Sequence, residues 1–167
     1  MFEQLLNIFR HSVEALPPAE ALFQRGVAHF KAGDYSRAQD YWQRAAELGH
    51  RDARFNLGWL YQSGVGVAPD LNRARHCYEQ AAEAGSSEAL FQLGLLYHDG
   101  AGVALDFDHA RQCWEQAAAL GNGDALFNLG LLYENGEGVP KDDARARDYW
   151  QRGAALGHRP CQWRLPH

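Results

Sequence analysis

The chain has little cysteine, little methionine and no long apolar run. Three cysteines in 167 residues cannot supply a disulfide framework. No apolar stretch approaches the roughly 18 residues that a membrane span needs. The first residues also lack a basic stretch ahead of an apolar block, the mark of a secretory leader. These absences set the expectation of a soluble, cytoplasmic chain with no membrane span. A net charge of −5 argues against nucleic acid as a partner. The eight histidines form no H-x-x-x-H pair and no cluster with cysteine at metal-ligand spacing. Neither GxGxxG nor GK[ST] occurs, and no Ser/His/Asp or Cys/His arrangement stands out. The expectation is no metal, no cofactor and no catalysis.

What is present is a repeat. Residues 89–121 read ALFQLGLLYHDGAGVALDFDHARQCWEQAAALG, and closely similar stretches occupy 53–85 and 125–157. Equivalent positions stand 36 apart, as in Gly58, Gly94 and Gly130, or Asp70, Asp106 and Asp142. A fixed period of that size means stacked supersecondary units.

Within one unit, Leu90, Phe91, Leu93, Leu95, Leu96 and Tyr97 cover most sides of a short helix, which must then be covered on several sides. Gly94 sits mid-helix, where glycine costs roughly 1 kcal/mol against alanine. The cost makes sense if another backbone passes too close for a side chain. Gly100 and Gly102 supply a turn, and Asp106 suits the N-cap of a second helix. That helix carries an apolar stripe of Phe107, Ala110, Cys113, Trp114, Ala117, Ala118 and Leu120. One unit is helix, tight turn, helix, short loop, and it cannot bury its apolar faces alone.

The pattern A-x-F-x-L-G-x-L-Y-x-x-G-x-G-V, then D-x-x-x-A-R, then an aromatic, AA and G, resembles the Sel-one-like repeat family, a relative of the tetratricopeptide repeat with a longer turn. The match covers 53–157. In the first unit the second helix keeps the register of 36, but Gly26 lies only 32 before Gly58, so four turn residues are missing. Residues 28–48 therefore resemble a tetratricopeptide hairpin. The resemblance implies an all-α fold, a right-handed α/α superhelix whose first helices line the concave side.

Residues 19–157 divide into four repeats, 19–52, 53–88, 89–124 and 125–157. Residues 1–16 carry Phe2, Leu5, Leu6, Phe9, Val13 and Leu16 at helical spacing. We expect an N-terminal capping helix there. A dimerisation or membrane-surface helix is the other reading, but Glu3, Gln4, Asn7, Arg10 and Glu14 do not make the basic face a membrane surface needs. Residues 158–167 begin a further first helix and stop at Pro166, which reads as a C-terminal half-repeat cap.

Several smaller features have structural readings. The GxG pairs at Gly64/Gly66, Gly100/Gly102 and Gly136/Gly138 follow no predicted strand and read as turns. Cys77 and Cys113 read as small core residues, too far apart on stacked helices for a disulfide. Cys161, in a frayed cap, should be the most reactive thiol. His50 and His158 read as loop residues. Arg75, Arg111 and Arg147 form a ladder, explained by solvated pairs with acids four residues on, such as Glu79 and Glu115.

The first helices carry the patterned surface with functional promise. Phe55, Phe91 and Phe127, then Trp59, Leu95 and Leu131, point toward the concave side if the repeat glycines face the second helices. Phe23 and Val27 extend these rows. An amide row, Gln24, Asn56, Gln92 and Asn128, runs beside them. Along one edge lie Glu20, Asp52, Glu88 and Asp124, and farther along come Gln62, His98 and Glu134. An apolar floor with amides and an acidic rim suits an extended peptide with basic residues. Two structural readings stay open: a tightly curved stack buries the apolar rows itself, and acids in first turns favour the helix dipole anyway.

The function expected from the resemblance is a non-catalytic adaptor that binds a protein or peptide in its concave groove, as a monomer or weak homo-oligomer. Related bacterial and eukaryotic proteins serve signalling, secretion and quality control, and some act in host interaction or antagonise toxins. Alternatives are a self-assembling module and a hydrolase of cell-wall or related amide substrates, an activity claimed for cysteine-rich relatives.

Overall fold

The computed structural model describes residues 17–165. The expected helix over 1–16 and the break at Pro166 lie outside them. Eight helices of similar length follow one another among the described residues: α1 (Pro18–Lys31), α2 (Tyr35–Glu47), α3 (Arg51–Ser63), α4 (Leu71–Glu83), α5 (Ser87–Asp99), α6 (Phe107–Ala119), α7 (Gly123–Asn135) and α8 (Asp143–Ala155). A short α9 (Arg159–Trp163) ends the series. No strand occurs among the described residues. Packing is densest within α1–α2, α3–α4, α5–α6 and α7–α8, so the unit is the helical hairpin, and each hairpin rests on the next.

The second helices start where the sequence says. Asp34, Asp70, Asp106 and Asp142 each accept a hydrogen bond from a backbone N–H in the first turn. The backbone N–H of Asp70, Asp106 and Asp142 also donates to the carbonyl of Tyr61, Tyr97 and Tyr133, which closes each long turn onto its first helix. First helices are capped by His50, Ser86 and Asn122, each accepting from the N–H three residues on. His50 and His158 are thus N-cap residues, although His158 makes no side-chain capping bond.

Each hairpin is closed by an aromatic side chain laid on a glycine. Trp42, Tyr78, Trp114 and Trp150 lie against Gly26, Gly58, Gly94 and Gly130. All four rings are buried. What approaches Gly94 is therefore the indole of Trp114, not the backbone that the sequence suggested: a Cβ there would overlap the ring. The indole N–H groups of Trp42, Trp114 and Trp150 donate to the carbonyls of Phe23, Phe91 and Phe127 at 3.3, 3.2 and 3.2 Å. This satisfies a buried polar group that would cost about 1–3 kcal/mol if left alone. Tyr78 differs, its hydroxyl donating to Gln62 Oε1 at 2.6 Å.

The second glycine of each GxG pair has a different neighbour. Gly66, Gly102 and Gly138 have φ of 74°, 73° and 66°. A Cβ on them would strike Tyr35, Leu71 and Phe107, the first residue of the second helix in the preceding hairpin. The motif is a stacking device between hairpins, made of turn geometry and close approach.

Candidate functional site

The residues of the expected rows lie on the first helices, and they differ in burial. Phe23, Phe55, Phe91 and Phe127 are half-buried. Phe23 stacks on His50 with ring centres 4.4 Å apart, and Phe55 leans on Tyr78 at 5.6 Å. Trp59 is 38% exposed and meets Phe30 edge-on at 5.7 Å. Leu95 and Leu131 are half-buried. Part of the apolar surface thus serves the stack, and of these rows Trp59 is the exposed member.

Two hollows lie along this surface. One, of about 410 Å³, is bounded by Val27, Phe30, Lys31, Trp42, Phe55, Asn56 and Trp59 and is largely apolar apart from the lysine. The other, of about 200 Å³, lies among Leu95, His98, Asn128, Leu131 and Glu137. Val27, Phe55, Asn56 and Trp59 meet in the first; Leu95, His98, Asn128 and Leu131 meet in the second. Gln92 lies half-buried outside both, and Gln24 is tied to Glu20 by a 2.7 Å hydrogen bond.

The edge acids are not a bare rim. Glu20 bonds to His50 Nε2 at 2.9 Å, and His50 Nδ1 accepts from the Ala53 N–H. That arrangement puts the ring proton on Nε2, which donates to Glu20. The hydrogen bonds from Gln24 and His50 lower the Glu20 carboxyl below its ordinary value. Asp52 bonds to Arg51 at 2.9 Å, and Asp124 to His158 Nε2 at 3.0 Å. Glu88 accepts from the neutral hydroxyl of Ser86 at 3.1 Å and has no ion pair within 4 Å among the described residues, although the Arg51 charge lies near it. Glu134 is paired with Arg164, and Gln62 is held by Tyr78.

His98 is held through both ring nitrogens. Its Nδ1 lies 2.7 Å from Asp99 and its Nε2 2.8 Å from Glu137, with Phe107 and Trp114 against the ring. Only an imidazolium donates to both carboxylates at once. Burial works against the charge, but the bonds to Asp99 and Glu137 outweigh it and raise His98 above its ordinary 6.5. The His98 bond in turn holds Glu137 below its ordinary 4.5.

The thiols require a correction. Cys161 is 0% exposed, packed under Gly153 with His158 Nδ1 3.1 Å from its sulfur. It is the most buried thiol, because α9 folds back on α7 and α8 instead of fraying. Cys77 and Cys113 are half-buried. Burial pushes all three up to about 11, so they are thiols at neutral pH. No disulfide joins them. The arginine ladder is also less solvated than expected: Arg75 and Arg111 pair with Glu79 and Glu115 at 2.5 and 2.9 Å on half-buried stems, while Arg147 is exposed.

Sequence reasoning passed over Phe30 and Trp42, which wall the apolar hollow, and Glu137, which holds His98. The signal for Trp42 was its register with Trp114 and Trp150. Glu137 stands where the other long turns have Val65 and Ala101, so it gave no repeated pattern to read.

The Sel1 repeat model matches three consecutive segments, 51–86, 87–122 and 123–158. The chain belongs to the Sel1 repeat family. Its first hairpin, 19–52, matches the tetratricopeptide repeat. A Sel1 repeat protein from Oxalobacter formigenes is 32% identical with a TM-score of 0.82, over 90% of this chain and 63% of its own. A protective antigen of uropathogenic Escherichia coli with an SLR fold is 31% identical, TM-score 0.78, over 92% of this chain and 33% of its own. An immunity protein from Pseudomonas aeruginosa shares the fold at 24% identity and a TM-score of 0.62, over 93% of this chain and 59% of its own. This Sel1 chain thus spans less than two-thirds of each of these relatives. No curated protein matches it. As a Sel1 repeat protein it is a right-handed α/α solenoid, the kind of repeat that builds protein–protein interaction scaffolds. No helix among the described residues is long and apolar enough to cross a membrane.

Proposed function

We propose that this Sel1 chain is a non-catalytic adaptor that holds a segment of a partner protein along its first-helix, concave surface. The observation that carries the reading is Trp59, a large aromatic left 38% exposed beside an apolar hollow of about 410 Å³. Exposed aromatics beside such a space are typical binding anchors. The half-buried row of Leu95 and Leu131 continues the contact toward the second hollow. There Asn128 offers an amide to a peptide backbone, and Asp99 and Glu137, which share the His98 cation, leave a net negative charge beside it. Of the edge acids, Glu88 is the one without an ion pair or histidine partner among the described residues, whereas Glu20, Asp52 and Asp124 are engaged within the chain, so Glu88 would steer a basic residue of the partner. The rest of the surface set, Phe23, Phe91, Gln92, Phe127 and Glu134, shapes the floor and edge. Three thiols held protonated fit a binding role better than nucleophilic chemistry.

The test is selection of binding peptides from a random library, followed by titration of the variants. Trp59→Ala should cost about 2 kcal/mol of binding or more. Glu88→Lys should slow association, more at low salt than at high. Arg147→Glu, on the other layer, should leave binding intact. If Arg147→Glu abolishes binding while Trp59→Ala binds normally with an unchanged melting temperature, the first-helix surface is not the site.

A further inference from the structure

Beneath the second-helix layer the repeat changes one apolar position to a charged one. Leu90 and Leu126, at equivalent positions of α5 and α7, are 8% and 1% exposed and fill the space beneath the second helices. In α3 that position is Arg54. A hollow of about 410 Å³ lies beside it, between α2 and α4, with α3 beneath. Its apolar floor includes Leu57 and the Tyr61 ring.

The surrounding charges change with it. The next two hairpins carry the pairs Arg75–Glu79 and Arg111–Glu115 on this layer. The equivalent residues of α2 are Gln39 and Gln43, which bear no charge. Gln39 donates to the Tyr61 hydroxyl at 3.1 Å, and Gln43 lines the hollow. Arg54 donates one bond, to the Gln80 carbonyl at 3.3 Å, and no ion pair to it is found among the described residues. A guanidinium has five N–H donors and is always charged, so most of this one is left for another acceptor. Arg73 and His76 also line the hollow, and no carboxylate among the described residues does. Arg73 is already engaged, with Asp70 at 3.4 Å and over the Tyr61 ring at 5.6 Å, and His76 lies 3.8 Å from Glu79. Of the cations that line the hollow, Arg54 is the one without a carboxylate partner among the described residues.

We infer that this hollow binds a carboxylate carried on a short apolar stem, the carboxylate on Arg54 and the stem against Leu57 and Tyr61. Arginine at this leucine position supplies the charge beside the hollow. A volume of this size is within the usual range of ligand pockets, roughly 300–1,000 Å³. The chemistry is that of a small free carboxylic acid and of a partner's glutamate side chain. The site lies on the layer opposite the proposed groove, so its fate is independent of that reading.

The experiment is amide NMR of the full chain titrated with three probes: hexanoate, capped leucyl-glutamyl-leucine and inorganic phosphate. Hexanoate or the tripeptide should give saturable shifts around Gln43, Leu57 and Gln80, with a dissociation constant on the order of 1 mM. A tighter response to hexanoate points to a free acid. A tighter response to the tripeptide, lost in its glutaminyl counterpart, points to a protein side chain. Arg54→Leu should weaken binding at least about tenfold, while its melting temperature holds or rises because leucine is what the sister hairpins carry. Arg147→Gln should bind as the parent does. The inference fails if neither carboxylate gives saturable shifts, if Arg54→Leu binds equally well, or if phosphate, which has no stem, binds as tightly as both.

Discussion

In the α1–α2 hairpin three residues, 32–34, join the helices; in each of the three hairpins behind it seven do. Yet Trp42 meets Gly26 as Trp114 meets Gly94, and both indoles reach a carbonyl of the first helix. The four residues of difference therefore do not set how a hairpin closes. They form the part of the turn that carries Gly66, Gly102 or Gly138 onto the preceding hairpin. Gly33, in the short turn, also has positive φ, 78°, but a Cβ there would meet nothing within 4 Å. Closure belongs to the aromatic and its glycine, and stacking belongs to the long turn. That division explains why a tetratricopeptide hairpin and Sel1 hairpins join in one stack.

The largest expected effect comes from striking closure itself. Gly94→Leu must displace the buried Trp114 ring and should destabilise the chain by well over about 2 kcal/mol in urea unfolding. A wild-type unfolding curve would show that the ring is not what holds the hairpin. The contrast between the two turns is sharpened by a matched pair. Gly33→Ala should cost about 1–2 kcal/mol, from backbone conformation alone. Gly102→Ala adds a clash with Leu71 and should cost more, by about another 1 kcal/mol. Equal costs would mean that the long turn does not bear on its neighbour.

The smallest effect concerns the polar link that only a long turn makes, from Glu137 back to His98 at the end of α5. His98 is raised above 6.5, so its contribution to stability is complete below that pH and is lost as pH rises through the raised value. Glu137 is lowered below 4.5, so its contribution is present above that pH and is lost as pH falls through the lowered value. The link should be at full strength between 4.5 and 6.5. Glu137→Gln should flatten the fall in stability on the alkaline side of that window, measured by urea unfolding across pH. A variant with the parent's pH profile would show that the pair does not couple the hairpins.

Much of this was legible in one sequence because each repeat is a local object. The cap aspartates, the apolar stripes and the deficit of four turn residues all follow from the period of 36. The aromatic partner of Gly94 was legible too, though unread. An aromatic follows the glycine by 20 residues in the three long-turn hairpins and by 16 in the first, which is the same four-residue deficit. The pairings of Glu20 with His50 and Asp124 with His158 were not readable, since each joins adjacent hairpins across 30 and 34 residues without repeating in the middle. Cys161 was misplaced because a terminal fragment looks loose in sequence, whereas the gap left by Gly153 gives its sulfur a seat.

The contact of each second turn glycine has a direction. Gly66 lies on Tyr35, Gly102 on Leu71 and Gly138 on Phe107, always on the hairpin before and never on the one after. The stack is laid like roof tiles, each overlapping the course beneath. Lifting the last tile leaves every remaining overlap supported, whereas lifting the first leaves Gly66 without its bearing. Opening of a nearest-neighbour array with such a bias is cheaper from one end. In hydrogen exchange, the amides of α7 and α8 should therefore lose protection in sub-global openings that spare α3 and α4.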